Sequence, residues 1–97
     1  MEKIALLVRL EARPGKEKEV SEFIQSALAL AQAEPMTIRW YALQLGPSTF
    51  GIFDTFQNEE GRQTHLSGPI AQALLARAGE LLAQPPQIQQ VDLLAVK

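Results

Sequence analysis

The apolar residues of this chain change their spacing as the sequence runs, and the order of those changes restricts the fold to very few arrangements. From Lys3 to Ala12 they alternate, with Ile4, Leu6, Val8 and Leu10 on one side and Ala5, Leu7, Arg9 and Glu11 on the other. A period of two reads as a strand. Pro14 and Gly15 interrupt it, and from Lys16 the spacing becomes helical, with Val20, Phe23, Ile24, Ala27, Leu28 and Ala31 on one stripe. That stripe predicts an amphipathic helix of roughly five turns. It should stop near Glu34, because Pro35 disfavours the helical conformation of the residue before it.

β-Branched and aromatic residues then gather from Thr37 to Leu45, and Gly46-Pro47-Ser48 connects them to a second such run, Thr49 to Phe56. Two runs of this kind joined by a short turn read as a hairpin. Asn58 is placed to cap a short helix from Glu59 to about Leu66, with two carboxylates in the first turn where the helix dipole favours them. Gly68 ends it, and Pro69, suited to a first helical position, starts another. Ile70, Leu74, Ala78 and Leu81 form the stripe of that helix, widened by Leu75 and Leu82, and Pro85-Pro86 closes it. Ile88 to Val96 alternates once more and reads as the last strand.

The resulting order is β-α-β-β-α-β with the second helical region split. This is an α+β, ferredoxin-like arrangement: one antiparallel sheet with helices on one face. A chain of 97 residues has room for one modest core, so a single domain over residues 1–97 is expected. Helices can cover only one side of the sheet. The other side also carries apolar residues, such as Ala5 and Leu7, and a face of that kind predicts a homodimer formed sheet to sheet.

Composition removes several classes of function. Hydrophobic residues make up 46% and charged residues 21% of the chain, which points away from both disorder and a membrane protein. A net charge of −2 supplies no field for a phosphate backbone, so neither nucleic acid nor an anionic membrane is an expected partner. With no cysteine and a single histidine, no thiolate site, cysteine nucleophile or histidine-based metal cluster is available. Met1-Glu2-Lys3 and the alternating run behind it do not have the shape of a signal peptide, and the expected location is the cytoplasm.

Several stretches in their order along the chain carry a resemblance. "ARPGKEKEV" after the first strand, "RWYALQLG" in the second, a third strand ending in "DTF", and "EEGRQTHLSGP" before the last helix together resemble the antibiotic biosynthesis monooxygenase domain of the dimeric α/β barrel superfamily. The similarity covers almost the whole chain, and its most specific piece is "HLSGP", where many members have His-Leu-x-x-Pro. The resemblance implies a homodimer whose two sheets pack into a barrel, with a pocket in each subunit between sheet and helices. It also implies an oxidoreductase that needs no cofactor and oxidises quinols or polyketide anthrones with molecular oxygen. The branch that degrades haem is set aside. Its asparagine, tryptophan and histidine correspond approximately to Val8, His65 and Leu75, and a second histidine common in the quinol-oxidising branch is here Ile70.

The candidate site residues are His65, Arg62, Trp40, Tyr41 and Phe53. His65 and Arg62 are three apart on a helix and can share a face. A neutral imidazole near its ordinary pKa of ~6.5 could take the proton of a quinol-like small aromatic molecule, making His65 the expected catalytic base. Arg62 could hold the developing oxyanion. The plainer roles are a helix-end cap for His65 and a solvated position for Arg62. Trp40 and Tyr41, adjacent in a strand, must face opposite ways, and the pattern leaves open which faces the pocket. Phe53, with Phe50 and Phe56, reads first as core and second as an apolar wall for an aromatic substrate. Asp54 is expected at an edge or rim. The competing reading is a binding or dimerisation module of the same fold that performs no chemistry.

Overall fold

A computed structural model describes residues 1–97. The elements follow the predicted order: β1 (Ile4–Glu11), α1 (Glu17–Ser26), α2 (Leu28–Gln32), β2 (Thr37–Gln44), β3 (Thr49–Phe56), α3 (Glu59–Leu66), α4 (Pro69–Leu81) and β4 (Gln87–Asp92). The four strands form one antiparallel sheet in the order β2-β3-β1-β4. This is the ferredoxin-like α+β fold. None of its helices is long and apolar enough to cross a membrane.

Strand register assigns every side chain to a face. Leu6, Val8 and Leu10 lie opposite Asp54, Ile52 and Phe50, and successive residues alternate across the pleat. Those residues face the helices, where Val8, Leu10, Phe50 and Ile52 join Val20, Ile24, Leu74 and Leu81 in the main core. A smaller cluster of Ala27, Ala31 and Ile70 closes one end, and Trp40 packs against both clusters. Leu7, Tyr41, Leu43 and Phe53 occupy the opposite face, where each keeps some contact with solvent.

Two predicted elements differ in the structure. The long helix expected from Lys16 to Glu34 is interrupted at Ala27, whose N–H bonds to Ile24 O at 3.3 Å, three residues back. One residue earlier, Ser26 Oγ donates to Phe23 O at 2.6 Å. A serine hydroxyl that bonds back to the preceding turn competes with the helix ladder. Ala27 and Ala31 remain buried across the break, but Leu28 leaves the expected stripe for solvent. The last strand stops at Asp92 rather than Val96, because Asp92 pairs with Ile4, the first residue of β1. Beyond that point only Leu93 N–H finds a partner, Lys3 O, at 3.0 Å. Leu75, expected on the α4 stripe, is 64% exposed.

A bulge in β2 matters for the site. Thr37 pairs with Phe56 and Arg39 with Thr55, so Ile38 is an extra residue in the ladder. Such a residue shifts the alternation by one. Thr37 and Trp40 therefore both face the helices, whereas without the bulge Thr37 would share the open face with Arg39 and Tyr41.

The caps behave as the sequence predicts. Asn58 Oδ1 accepts the Gly61 N–H at 3.0 Å, and Pro69 occupies the first turn of α4. Asn58→Ala is expected to cost about 1 kcal/mol in urea unfolding. Phe50→Ala, which empties part of the main core, should cost about 3–5 kcal/mol by the same measurement.

Candidate functional site

The polar centre of the molecule lies where α3, β3 and the link between α2 and β2 meet. His65, in the last turn of α3, carries its imidazole between two carboxylates. Nδ1 lies 2.8 Å from Glu34 Oε1 and Nε2 lies 2.8 Å from Asp54 Oδ2. The first contact is a hydrogen bond, and the second is an ion contact set off the line of a linear bond. Asp54 is 0% exposed, His65 8%, and the Glu34 side chain 16%, so access from solvent rises along the line from Asp54 to Glu34.

Local structure explains each position. Asp54 belongs to the same alternating set of β3 as Phe50, Ile52 and Phe56, which the register turns toward the helices. Gly61 stands one turn before His65. A Cβ there would lie 3.3 Å from both the Cβ and the carbonyl oxygen of Met36, so its absence lets α3 approach the start of β2. Glu34 Oε1 also accepts from Thr37 Oγ1 at 2.7 Å, a contact made available by the bulge at Ile38. The Phe56 ring lies 5.5 Å from the imidazole, centroid to centroid, and shields it on one side.

Electrostatics favour a protonated ring. A neutral imidazole has one N–H and one lone pair, and a lone pair would face a carboxylate oxygen on one side or the other. A protonated ring presents a donor to both. Burial by itself would lower the His65 pKa, but Asp54 and then Glu34 outweigh it and the value is raised. Burial raises the Asp54 pKa, against the opposing pull of His65 and with a further rise from Glu34. The shift favours the protonated ring, which in that form has no free lone pair. Both ring nitrogens are engaged by carboxylates, so the expected neutral-imidazole base would have to give up one of these contacts to act.

The five predicted site residues divide between the two faces of the sheet. Trp40 faces the helices, where its Nε1 is buried without a hydrogen-bond partner. Tyr41 and Phe53 lie on the open face with their rings stacked at 6.4 Å, away from His65. This settles the orientation that the strand pattern leaves open, and it moves Phe53 out of the expected core. Arg62 is buried, neither solvated nor free to meet an oxyanion. Its guanidinium pairs with Glu59 and donates from Nη1 to Ala5 O at 3.3 Å and Val91 O at 3.4 Å. Sequence reasoning misses Glu34 altogether and places Asp54 at a rim. The signal for Asp54 is its parity with three buried apolar residues of β3, and nothing in the sequence marks Glu34.

A cavity of about 120 Å³ lies against Glu34, Thr37, Gly61, Thr64, His65 and Pro69. A shallower groove of about 270 Å³, which includes Leu28, Ala31, Ile38 and Trp40, shares Glu34 and Thr37 with it. The largest depression, about 560 Å³, is on the open face between Tyr41, Phe53 and the last residues of the chain, remote from the ionic centre. No three or more of His, Cys, Asp and Glu are arranged as a metal-ligand set.

The proton on His65 makes stability depend on pH with a defined sign. A pKa raised on folding stabilises fully below the unfolded value, ~6.5 for imidazole, and that stabilisation is lost as pH rises through the folded value. Unfolding free energy should thus fall above about pH 6.5. His65→Leu removes this dependence and, by leaving Asp54 without its cation, should cost about 3–5 kcal/mol at neutral pH. Urea titrations across the alkaline range measure both effects.

No family model and no curated protein matches the chain. Among solved structures, a protein of unknown function from Nitrosomonas europaea is 58% identical, with a TM-score of 0.98 over 100% of this chain and 94% of that one. A second Nitrosomonas europaea protein, named as a candidate antibiotic biosynthesis monooxygenase, is 15% identical, with a TM-score of 0.83 over 95% of this chain and 90% of its own. A Caulobacter crescentus protein named in the same way is 18% identical, with a TM-score of 0.81 over 97% and 92%. At such identities the last two likenesses establish the fold alone. The chain belongs to the same family as the Nitrosomonas europaea protein of unknown function, and its fold is the one found in the candidate antibiotic biosynthesis monooxygenases.

Proposed function

We propose that the protein is a cofactor-independent monooxygenase for a single-ring, quinol-like aromatic molecule. The observation that carries this reading is the buried line Asp54–His65–Glu34, which opens on a cavity between α3, the start of α4 and the link from α2 to β2. The fold shared with candidate monooxygenases supports it. Acidic and imidazole side chains beside the cavity can exchange a proton with a ring hydroxyl, the first step such an oxidation needs.

The reaction balances with dioxygen as the co-reactant. A hydroquinone loses a hydroxyl proton, and the electron-rich ring transfers electrons to dioxygen and forms a C–O bond at a ring C–H carbon. The resulting hydroperoxide loses water as its O–O bond breaks and the carbon becomes a carbonyl. One hydroquinone and one dioxygen thus give one hydroxyquinone and one water.

Size narrows the substrate. An apolar cavity of ~150 Å³ holds benzene, and drug-sized pockets begin near ~300 Å³. At about 120 Å³ the cavity alone is smaller than a one-ring site, and only together with the adjoining groove of about 270 Å³ does it offer room for a single ring rather than a three-ring polyketide anthrone. Aerobic turnover of substituted hydroquinones, followed by oxygen uptake and product mass, is the test. Incorporation of one oxygen atom is expected, with no gain from added metal, flavin or haem. Binding without turnover would reject the enzyme in favour of a ligand-binding module.

We also propose that two copies associate through the open face, where Leu7, Leu43, Phe53 and Tyr41 meet solvent. An apolar sheet face of this kind is stabilised when a second copy covers it. Light scattering should give twice the chain mass, and Phe53→Glu should halve it. A monomeric wild-type protein at micromolar concentration would refute the association.

A further inference from the structure

We infer that Glu34 is the proton acceptor of this site, its Oε2 taking the proton of a neutral ligand hydroxyl, with His65 and Asp54 as positioning residues behind it. The inference rests on the oxygenase reading for its substrate class but not for its geometry. Glu34 is the most exposed of the three groups and the one that lines both the cavity and the groove. Its two oxygens are unequal. Oε1 accepts from Thr37 and His65, whereas Oε2 is buried without any partner. A buried carboxylate oxygen without a donor is costly, and a ligand O–H supplies one when the cavity lining beside Oε2 parts to admit it. Asp54, by contrast, is closed off behind the imidazole.

Charge determines the form in which the ligand enters. Two carboxylates and one imidazolium leave the centre negative when both acids are ionised. The nearby Arg62 is already engaged by Glu59 and two carbonyls, and Arg39 pairs with Glu2. With no uncommitted cation at the site, an anionic ligand is disfavoured and a neutral phenol is accepted. In the transfer the phenol O–H bond breaks, the Oε2–H bond forms, and the phenolate oxygen keeps the electron pair, with the Glu34 charge neutralised by the same step. A positioned carboxylate acts as a general base when it lies within hydrogen-bond reach of the proton it takes.

The groups that face His65 are few. Glu34 comes from the link before β2 and Asp54 from β3, while the Phe56 ring of β3 is apolar. Arg62 and Glu59 on its own helix pair with each other. Asp54→Asn should therefore let the imidazole lose its proton at a lower pH.

The probe is 4-nitrophenol, whose phenolate is yellow and whose binding needs no oxygen chemistry. At a pH where the free probe is mostly protonated, the wild type should bind it as phenolate. Glu34→Gln should bind it colourless and more weakly, and Glu34→Asp should restore part of the colour; circular dichroism checks that each variant is folded. In Asp54→Asn the affinity should begin to fall at a lower pH than in the wild type, a shift that a purely structural role would not produce. Equal colour in wild type and Glu34→Gln would overturn the assignment, as would colourless binding to the wild type. No binding at all would overturn both this assignment and the oxygenase reading. Phenolate binding without hydroquinone turnover would leave Glu34 in its role and remove the oxygenase.

Discussion

A carboxylate in the middle of a sheet and closed to solvent needs a countercharge, and Asp54 has one only because α3 brings His65 to it. Removing such a charge from water costs several kcal/mol, which paired and well-placed partners offset. That requirement orders much of the chain. Gly61 lets α3 come close, and the Asn58 cap starts the helix in the phase that turns His65 inward. Glu34 and Thr37 complete the second side of the ring. The core contributes the larger share of burial, yet apolar contacts alone would accept α3 in several rotations. The ion contact selects one, which is the role of specificity that buried polar groups perform in some proteins.

The architecture was legible because each element has its own period and its own stop. The Ile4–Leu10 alternation, the Val20–Ile24 stripe, Asn58 before Glu59 and Pro69 after Gly68 are local signals, and local physics sets what they specify. The failures involve interactions between segments. Ser26 interrupts a helix whose apolar spacing is intact. β4 ends where its neighbour begins, although Leu93 to Val96 continue to alternate. Neither limit is written in the residues concerned.

The candidate site was legible in one residue of three. His65 stands out as the sole imidazole, and a resemblance at His-Leu-x-x-Pro marks it further. Its partners come from positions 31 and 11 residues away, and a sequence does not display that convergence. Trp40 and Tyr41 illustrate the same limit. Alternation requires that they separate, but the register with Asp54 and Phe53 decides which enters the helix side. The bulge at Ile38 adds a second unreadable step, since it moves Thr37 to the side where Glu34 needs a donor.

Arg62 gives the fold a property that no single contact has. Its Nη1 rests on the carbonyls of Ala5 and Val91, which face each other across β1 and β4, and three residues later His65 reaches the middle of β3. A helix fastened at two points so close together cannot roll about its axis without breaking one of them. The edge strand and the imidazole are consequently tied to the same helix: Arg62 joins α3 to β1 and β4, and His65 joins it to β3.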